Sequence, residues 1–290
     1  MAAEKLDPVT GRMTTGHEWN GIEELDTPVP RVVLFFLAAS TLFAVVYWIL
    51  MPAWPLGWTY TKGLLGINQR EVVTRQVETA TAERAVWTDK IMAANFSEIE
   101  ADEALMAKVR ETGPTLFRDN CAACHGINAT GGPGFPDLTA KAWLWGGDPE
   151  TIAETIRVGI NSTNEDTRVS QMLAFGRDEV LDRKKISDVV DYVQSLSVPE
   201  SGSAETINAG REVFAANCVV CHGDDGKGKK DVGAPDLTDS HWTYGGDEQS
   251  IYTTVYAGRQ GHMPHWDGRL SPLDIKMLTA YVHTLGGKAP

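Results

Sequence analysis

Two cysteines three residues apart, followed at once by a histidine, occur twice in the chain, as "CAACH" at 121–125 and "CVVCH" at 218–222. These motifs use all four cysteines. Thiols at this spacing offer three chemistries: disulfides, a zinc site, or attachment of a c-type haem. A four-cysteine zinc site wants its two pairs about 15–20 residues apart, whereas 93 residues separate these. Neither zinc nor disulfides explain a histidine after each second cysteine. Haem attachment does: the thiols add to the porphyrin vinyl groups, and the turn brings the next side chain to the iron as proximal ligand. Cys121, Cys124, Cys218 and Cys221 are therefore expected to bind two haem c groups covalently, with His125 and His222 as axial ligands.

A methionine thioether opposite histidine raises the reduction potential and closes the iron to small ligands, which suits electron transfer. Met172 lies 47 residues after His125, and Met263 lies 41 after His222. The expected grouping is by sequence: Cys121, Cys124, His125 and Met172 around one iron, Cys218, Cys221, His222 and Met263 around the other. Either methionine can instead be a core residue. Near Met263, His241, His262 and His265 compete, with His283 more remote. The carbonyls of Pro136 and Pro235 are expected to accept the Nδ1 protons of His125 and His222, leaving Nε2 for iron. Trp143, Trp145, Trp242 and Tyr244 either donate to haem carboxylates or pack, and the sequence leaves both open. Phe117 and Phe214 are expected to pack on Tyr192 and Tyr281.

These residues sit in an internal repeat. "FPDLT" (135–139) returns as "APDLT" (234–238), and "WLWGGDPETIAETIRVGI" (143–160) returns as "WTYGGDEQSIYTTVYAGR" (242–259). The offset is 97 residues at the first cysteines, 99 at the prolines and 91 at the methionines, as small loop insertions would give. Each half closes on a helical pattern. Ile186, Val189, Val190, Val193 and Leu196 form one apolar face, and Ile275, Leu278, Val282 and Leu285 form the other. "PESGSA" (199–204) reads as a polar linker. Units of 80–90 residues make marginal cores, which a large apolar group at the centre would reinforce.

Ahead of the repeats, Val32 to Met51 is twenty residues without a charge, enough for a helix to cross a hydrocarbon core of about 30 Å. Tyr47, Trp48, Trp54, Trp58 and Tyr60 crowd its C-terminal end like an interfacial belt. A cleaved signal peptide fits poorly, with 31 residues ahead of a long apolar run and no small-residue cleavage motif behind it. Basic residues flank both ends, so orientation must come from the cysteine motifs. Haem is attached outside the cytoplasm, which puts the repeats in the periplasm and residues 1–31 in the cytoplasm. Val73, Val77, Ala80, Trp87 and Ile91 then mark an apolar helical face, which rests on partner subunits, on the membrane or on the chain's own first repeat. The formal charge of −13 is spread along the chain, which argues against a nucleic-acid partner.

The duplicated motifs behind one span, together with "HEWNGIEELDTPVPR" (17–31) and "GWTYTKGLLGINQREV" (57–72), resemble the dihaem subunit of cbb3-type cytochrome c oxidases, called CcoP or FixP. The resemblance covers essentially the whole chain. It implies a subunit of a bacterial terminal oxidase of the inner membrane that reduces oxygen and conserves energy as a proton gradient. The subunit would relay electrons from a c-type cytochrome donor toward a monohaem c-type subunit and a catalytic haem–copper subunit, without catalysing oxygen chemistry itself. The expected fold is mainly α, with a single transmembrane helix followed by two tandem class I cytochrome c domains. Its boundaries are 1–31 cytoplasmic, 32–52 transmembrane, 53–106 a periplasmic connector, 107–198 the first domain, 199–206 the linker and 207–290 the second domain. Two other readings remain: a free-standing anchored dihaem carrier, and a dihaem peroxidase or ligand sensor with one open iron face.

Overall fold

The computed structural model describes residues 4–199 and 201–286, so Glu200 of the linker and the last four residues of the second domain lie outside it. The chain divides into two units, the first ending at Glu83 and the second beginning at Arg84.

The first unit opens with a β-hairpin, β1 (Thr14–Trp19) and β2 (Ile22–Leu25), paired antiparallel. Asn20 and Gly21 turn it, both at positive φ, which is the type I′ geometry that an Asn-Gly pair favours. Helix α1 (Arg31–Leu50) follows and contains no buried residue. A predominantly apolar helix of twenty residues displayed outward needs a medium other than water, and the length matches a membrane span. Its bounds agree with the apolar run to within one residue. Helix α2 (Gln69–Ala93) crosses the boundary between the units. Along the apolar stripe expected on it, Val73 and Val77 are exposed while Ile91 is fully buried.

The second unit is helical: α3 (Phe96–Ala101), α4 (Glu103–Asn120), α5 (Ala122–His125), α6 (Pro149–Val158), α7 (Arg183–Ser197), α8 (Ala204–Asn217), α9 (Val219–His222), α10 (Glu248–Ala257) and α11 (Pro272–Leu285). Asp or Ser caps most of these helices. Asp148 and Asp247, which end the two "GGD" phrases, accept the backbone N–H of Thr151 and Ser250 at 2.9 and 3.0 Å and so start α6 and α10. Helices α4–α6 and α8–α10 are the same three elements written twice.

The closing helices are exchanged. Helix α7, the last of the first repeat, packs on α8 and α10 of the second; α11, the last of the second, packs on α4 and α6 of the first. The two expected aromatic pairs form across the repeats: Phe117 meets Tyr281 edge-on at 5.8 Å, and Phe214 meets Tyr192 at 5.2 Å. Glycines permit these crossings. A Cβ on Gly210 of α8 would sit 2.0 Å from the Asp188 carbonyl oxygen on α7, and one on Gly113 of α4 would sit 2.7 Å from Tyr281 on α11. The tandem domains read from the sequence are thus neighbours in sequence order, but each core is completed by the other's last helix. Three apolar clusters result. One joins α7, α8 and α10, one joins α4, α6 and α11, and a third seats Trp87 and Ile91 of α2 and Ile99 of α3 against α4 and α11.

Candidate haem-binding sites

Each CxxCH phrase begins as the C-cap of one helix and continues as a single helical turn. Cys121 ends α4 and α5 carries Cys124 and His125, while Cys218 and α9 repeat the arrangement. All four cysteines are unpaired, and among the described residues no three His, Cys, Asp or Glu side chains converge as a metal cluster. The disulfide and zinc readings therefore have no support here. Burial, with the second thiol of each pair adding, pushes Cys121 and Cys218 up to about 11. They are held as neutral thiols rather than as reactive thiolates.

His125 Nδ1 donates to the Pro136 carbonyl at 3.2 Å, and His222 Nδ1 donates to the Pro235 carbonyl at 3.2 Å. Burial lowers both imidazole pKa values, against the smaller opposing effect of those carbonyls, and so favours the neutral ring. A neutral ring with its proton fixed on Nδ1 keeps a lone pair on Nε2, the form a metal requires. The two histidine loops also face each other. Residues 130–144 and 227–250 wall a cleft of about 750 Å³, with Pro136, Trp143, Pro235 and Trp242 among its lining.

The methionines do not follow the sequence grouping. Met263 packs in the cluster that contains Phe117, Trp143 and Tyr281 together with Cys121 and Ala122, the start of the turn that carries His125. Met172 packs in the cluster that contains Phe214, Cys218, Trp242 and Tyr192, around His222. The backbone enforces this arrangement. Met263 and Ile160 exchange both amide hydrogen bonds at 2.9 Å, and Met172 and Arg259 do so at 2.8 and 3.0 Å. Gly159 and Gly258, which terminate α6 and α10 at positive φ, let the crossing strands pass. A Cβ there would lie 2.4 Å from the Met263 carbonyl oxygen or 2.5 Å from that of Met172. Met263 thus packs on the repeat of His125 and Met172 on the repeat of His222, across the grouping expected along the sequence. Sequence distance along one repeat says nothing about which repeat a loop folds onto.

The competing histidines are engaged elsewhere. His262 Nδ1 donates to the Asn161 carbonyl. His265 is bound on both ring nitrogens, to Asp267 at 2.6 Å and Thr163 at 3.3 Å. His283 pairs with Glu100, and His241 is half-exposed beside Asp239. Of the four aromatic residues left open above, Trp143 and Trp242 pack in the two cores beside the methionines. Trp145 and Tyr244 instead carry the guanidinium groups of Arg168 and Arg259 on their faces. Those arginines were not singled out in the sequence. The one signal for them was the eight-residue drift in repeat offset between the prolines and the methionines.

The site residues fit a c-type haem on chemical grounds: a thiol pair, a neutral imidazole with its tautomer fixed, and a half-buried thioether in one apolar core, twice over. Comparisons with known proteins agree. Residues 11–58 match the family described as the N-terminal domain of cytochrome oxidase-cbb3, FixP; residues 110–197 match cytochrome c; and residues 205–282 match cytochrome c oxidase, cbb3-type, subunit III. The chain is 46% identical over 288 residues, 98% of each protein, to the cbb3-type cytochrome c oxidase subunit FixP of Bradyrhizobium sp.. It is 45% identical over 282 residues to the FixP subunit of Azorhizobium caulinodans, covering 97% of this chain and 96% of that one. It is 43% identical over 275 residues, 94% of each protein, to the CcoP subunit of Cereibacter sphaeroides. With two cytochrome c domains behind an apolar N-terminal helix, the chain belongs to the CcoP/FixP family, subunit III of cbb3-type cytochrome c oxidases.

Proposed function

We propose that this chain is the electron-relay subunit of a cbb3-type oxidase, passing single electrons from a c-type cytochrome donor toward a monohaem c-type subunit and the haem–copper subunit where oxygen is reduced. Two haem c groups, held covalently by Cys121/Cys124 and Cys218/Cys221, would supply the one-electron carriers. The ligand sets would be crossed: His125 with Met263, and His222 with Met172. The observation that carries this reading is the pair of apolar cores, each joining one repeat's cysteine–histidine turn to the other repeat's methionine. With a methionine as well as a histidine to hold each iron, the sites would supply one-electron transfer rather than binding of oxygen or peroxide, which argues against the peroxidase and sensor readings and for a chain that carries electrons without catalysing oxygen chemistry.

Exposure of α1 along its whole length supports a membrane anchor. Haem attachment outside the cytoplasm supports an inner-membrane orientation with residues 1–31 cytoplasmic and both cytochrome domains periplasmic. The hairpin of β1 and β2 before the span favours an oxidase subunit over a free-standing carrier, because a bare anchor has no use for a folded element there. Tagging the chain, solubilising membranes gently and assaying what copurifies tests the assignment. A haem–copper subunit, with oxygen uptake from a reduced c-type donor, is the expected result. A chain that emerges alone with two haems and no oxygen uptake would return the free-standing carrier.

A further inference from the structure

The two repeats differ where the methionine strand meets its partner. Arg259 of the second repeat corresponds to Ile160 of the first, at the repeat offset of 99 residues. Each stands directly opposite the methionine of the other repeat, Arg259 against Met172 and Ile160 against Met263. Directly opposed antiparallel residues project from the same face. Arg259 therefore emerges on the side of Met172, while an apolar residue emerges beside Met263. The first repeat then spends its eight extra residues on a loop that returns alongside Ile160. There Arg168 donates its N–H to Gly159 O at 3.1 Å, and its own carbonyl accepts from Asn161 at 2.8 Å. The insertion thus restores an arginine one strand further out.

Both arginines finish on equivalent rings. Arg168 lies over Trp145 at 5.0 Å and Arg259 over Tyr244 at 4.3 Å, the third residues of the two W-x-[W/Y]-G-G phrases. Each ring lies against the opposite repeat's histidine loop, Trp145 on Gly233 and Tyr244 beside Gly134, which fixes the guanidinium plane. Arg168 Nη2 reaches the Thr151 carbonyl at 3.4 Å and Arg259 Nε donates to Thr254 Oγ1 at 3.0 Å. Arg168 Nε is buried with no acceptor. A buried donor left unsatisfied is costly, and a planar guanidinium is best matched by a carboxylate.

Resting on the haem reading above, we infer that Arg168 and Arg259 clamp haem carboxylates: Arg168 at the site of His125 and Met263, Arg259 at the site of His222 and Met172. A fixed positive charge beside each site disfavours the oxidised, more positive iron and so raises that site's electron affinity. The two arginines are not repeat equivalents, so their convergence points to a requirement of the site rather than to inheritance from the duplication.

The test is a spectroelectrochemical titration of the purified full-length subunit. Arg259→Gln and Arg168→Gln are each made in Met172→His and Met263→His backgrounds, which move one haem to lower potential and leave the other legible. Arg259→Gln is expected to lower the remaining transition about tenfold in electron affinity, about 59 mV for a one-electron couple, only where Met172 is intact. Arg168→Gln should do so only where Met263 is intact, and the Arg→Lys variants should recover most of either loss. Unmoved potentials with two covalent haems per chain would overturn the clamp and leave stacking as the arginines' whole role. A shift that tracks the opposite methionine would overturn the site assignment. Fewer than two covalent haems in the unmodified chain would sink the haem reading itself.

Discussion

The core around His125 and the core around His222 use the same three helices and the same crossed methionine, yet their surroundings differ. The connector braces the first core, where Ile91, Ile99 and Met106 pack with Met277 of α11. Lys276 donates to the carbonyls of Met92 and Ala94, and His283 pairs with Glu100. Its histidine loop, "GINATGGPGFP" at 126–136, carries no charge and exposes Ile127. The loop after His222, "GDDGKGKKDVGAP" at 223–235, carries six charges. The two halves of the duplicated scaffold therefore differ in the bracing of their cores and in the charge on their histidine loops.

The exchange of closing helices makes the two cores interdependent, and a chain stopped at residue 202 breaks the comparison most severely. It retains Cys121, Cys124, His125 and Met172 but lacks α11 and Met263. It is expected to lose cooperative thermal unfolding and the methionine-to-iron charge-transfer band. A well-folded product with that band intact would mean that each repeat closes on itself. Next in size are the aromatic pairs. Removing a buried aromatic side chain costs about 3–5 kcal/mol, so Tyr192→Ala, which is 9% exposed, should lower denaturant stability by that order. Tyr281→Ala should lower it somewhat less. Normal stability in both variants would refute the crossed packing.

The glycine crossings sharpen the contrast further. Gly210→Ala drives a Cβ into backbone on α7, which cannot rotate away, whereas Gly113→Ala meets the Tyr281 side chain. Overpacking costs about 1–3 kcal/mol, and Gly210→Ala is expected at the top of that range or beyond, with Gly113→Ala toward the bottom. Paired thermal melts would show it, and equal or reversed effects would contradict the stated helix contacts. The smallest effect concerns the charged loop. Replacing Lys227, Lys229 and Lys230 with Gln should change the ionic-strength dependence of reduction by a c-type donor in stopped-flow traces without altering the final extent of reduction. Ile127→Ser should leave that dependence unchanged.

Much of this architecture could be read before any coordinates. CxxCH fixes a local geometry by itself, the apolar run marks a helix to within a residue, and the "GGD" phrases announce two capped helices. The crossing could not be read. The closing helices have interchangeable apolar faces, Ile186–Val193 in one and Ile275–Val282 in the other, and both repeats present a glycine four residues before the phenylalanine that receives them. Periodicity specifies that a face is buried and is silent on which copy buries it. Arg168 was hidden for a related reason. Its counterpart in space is not its counterpart in sequence, so an alignment of the repeats opposes Arg259 to Ile160. The hairpin at Thr14–Leu25 had a legible Asn-Gly turn, but its strands are short and largely polar, and they lack the alternation that marks a buried face.

The central claim is that each iron site takes its histidine from one repeat and its methionine from the other. In a full-length Cys121→Ala/Cys124→Ala variant, only the site of His222 can attach haem covalently, and its methionine-to-iron charge-transfer band can be followed alone. Crossed ligation predicts that adding Met172→Ala abolishes that band and admits carbon monoxide to the reduced iron, while adding Met263→Ala leaves both as they were. Loss of the band with Met263→Ala, and its persistence with Met172→Ala, would contradict the account.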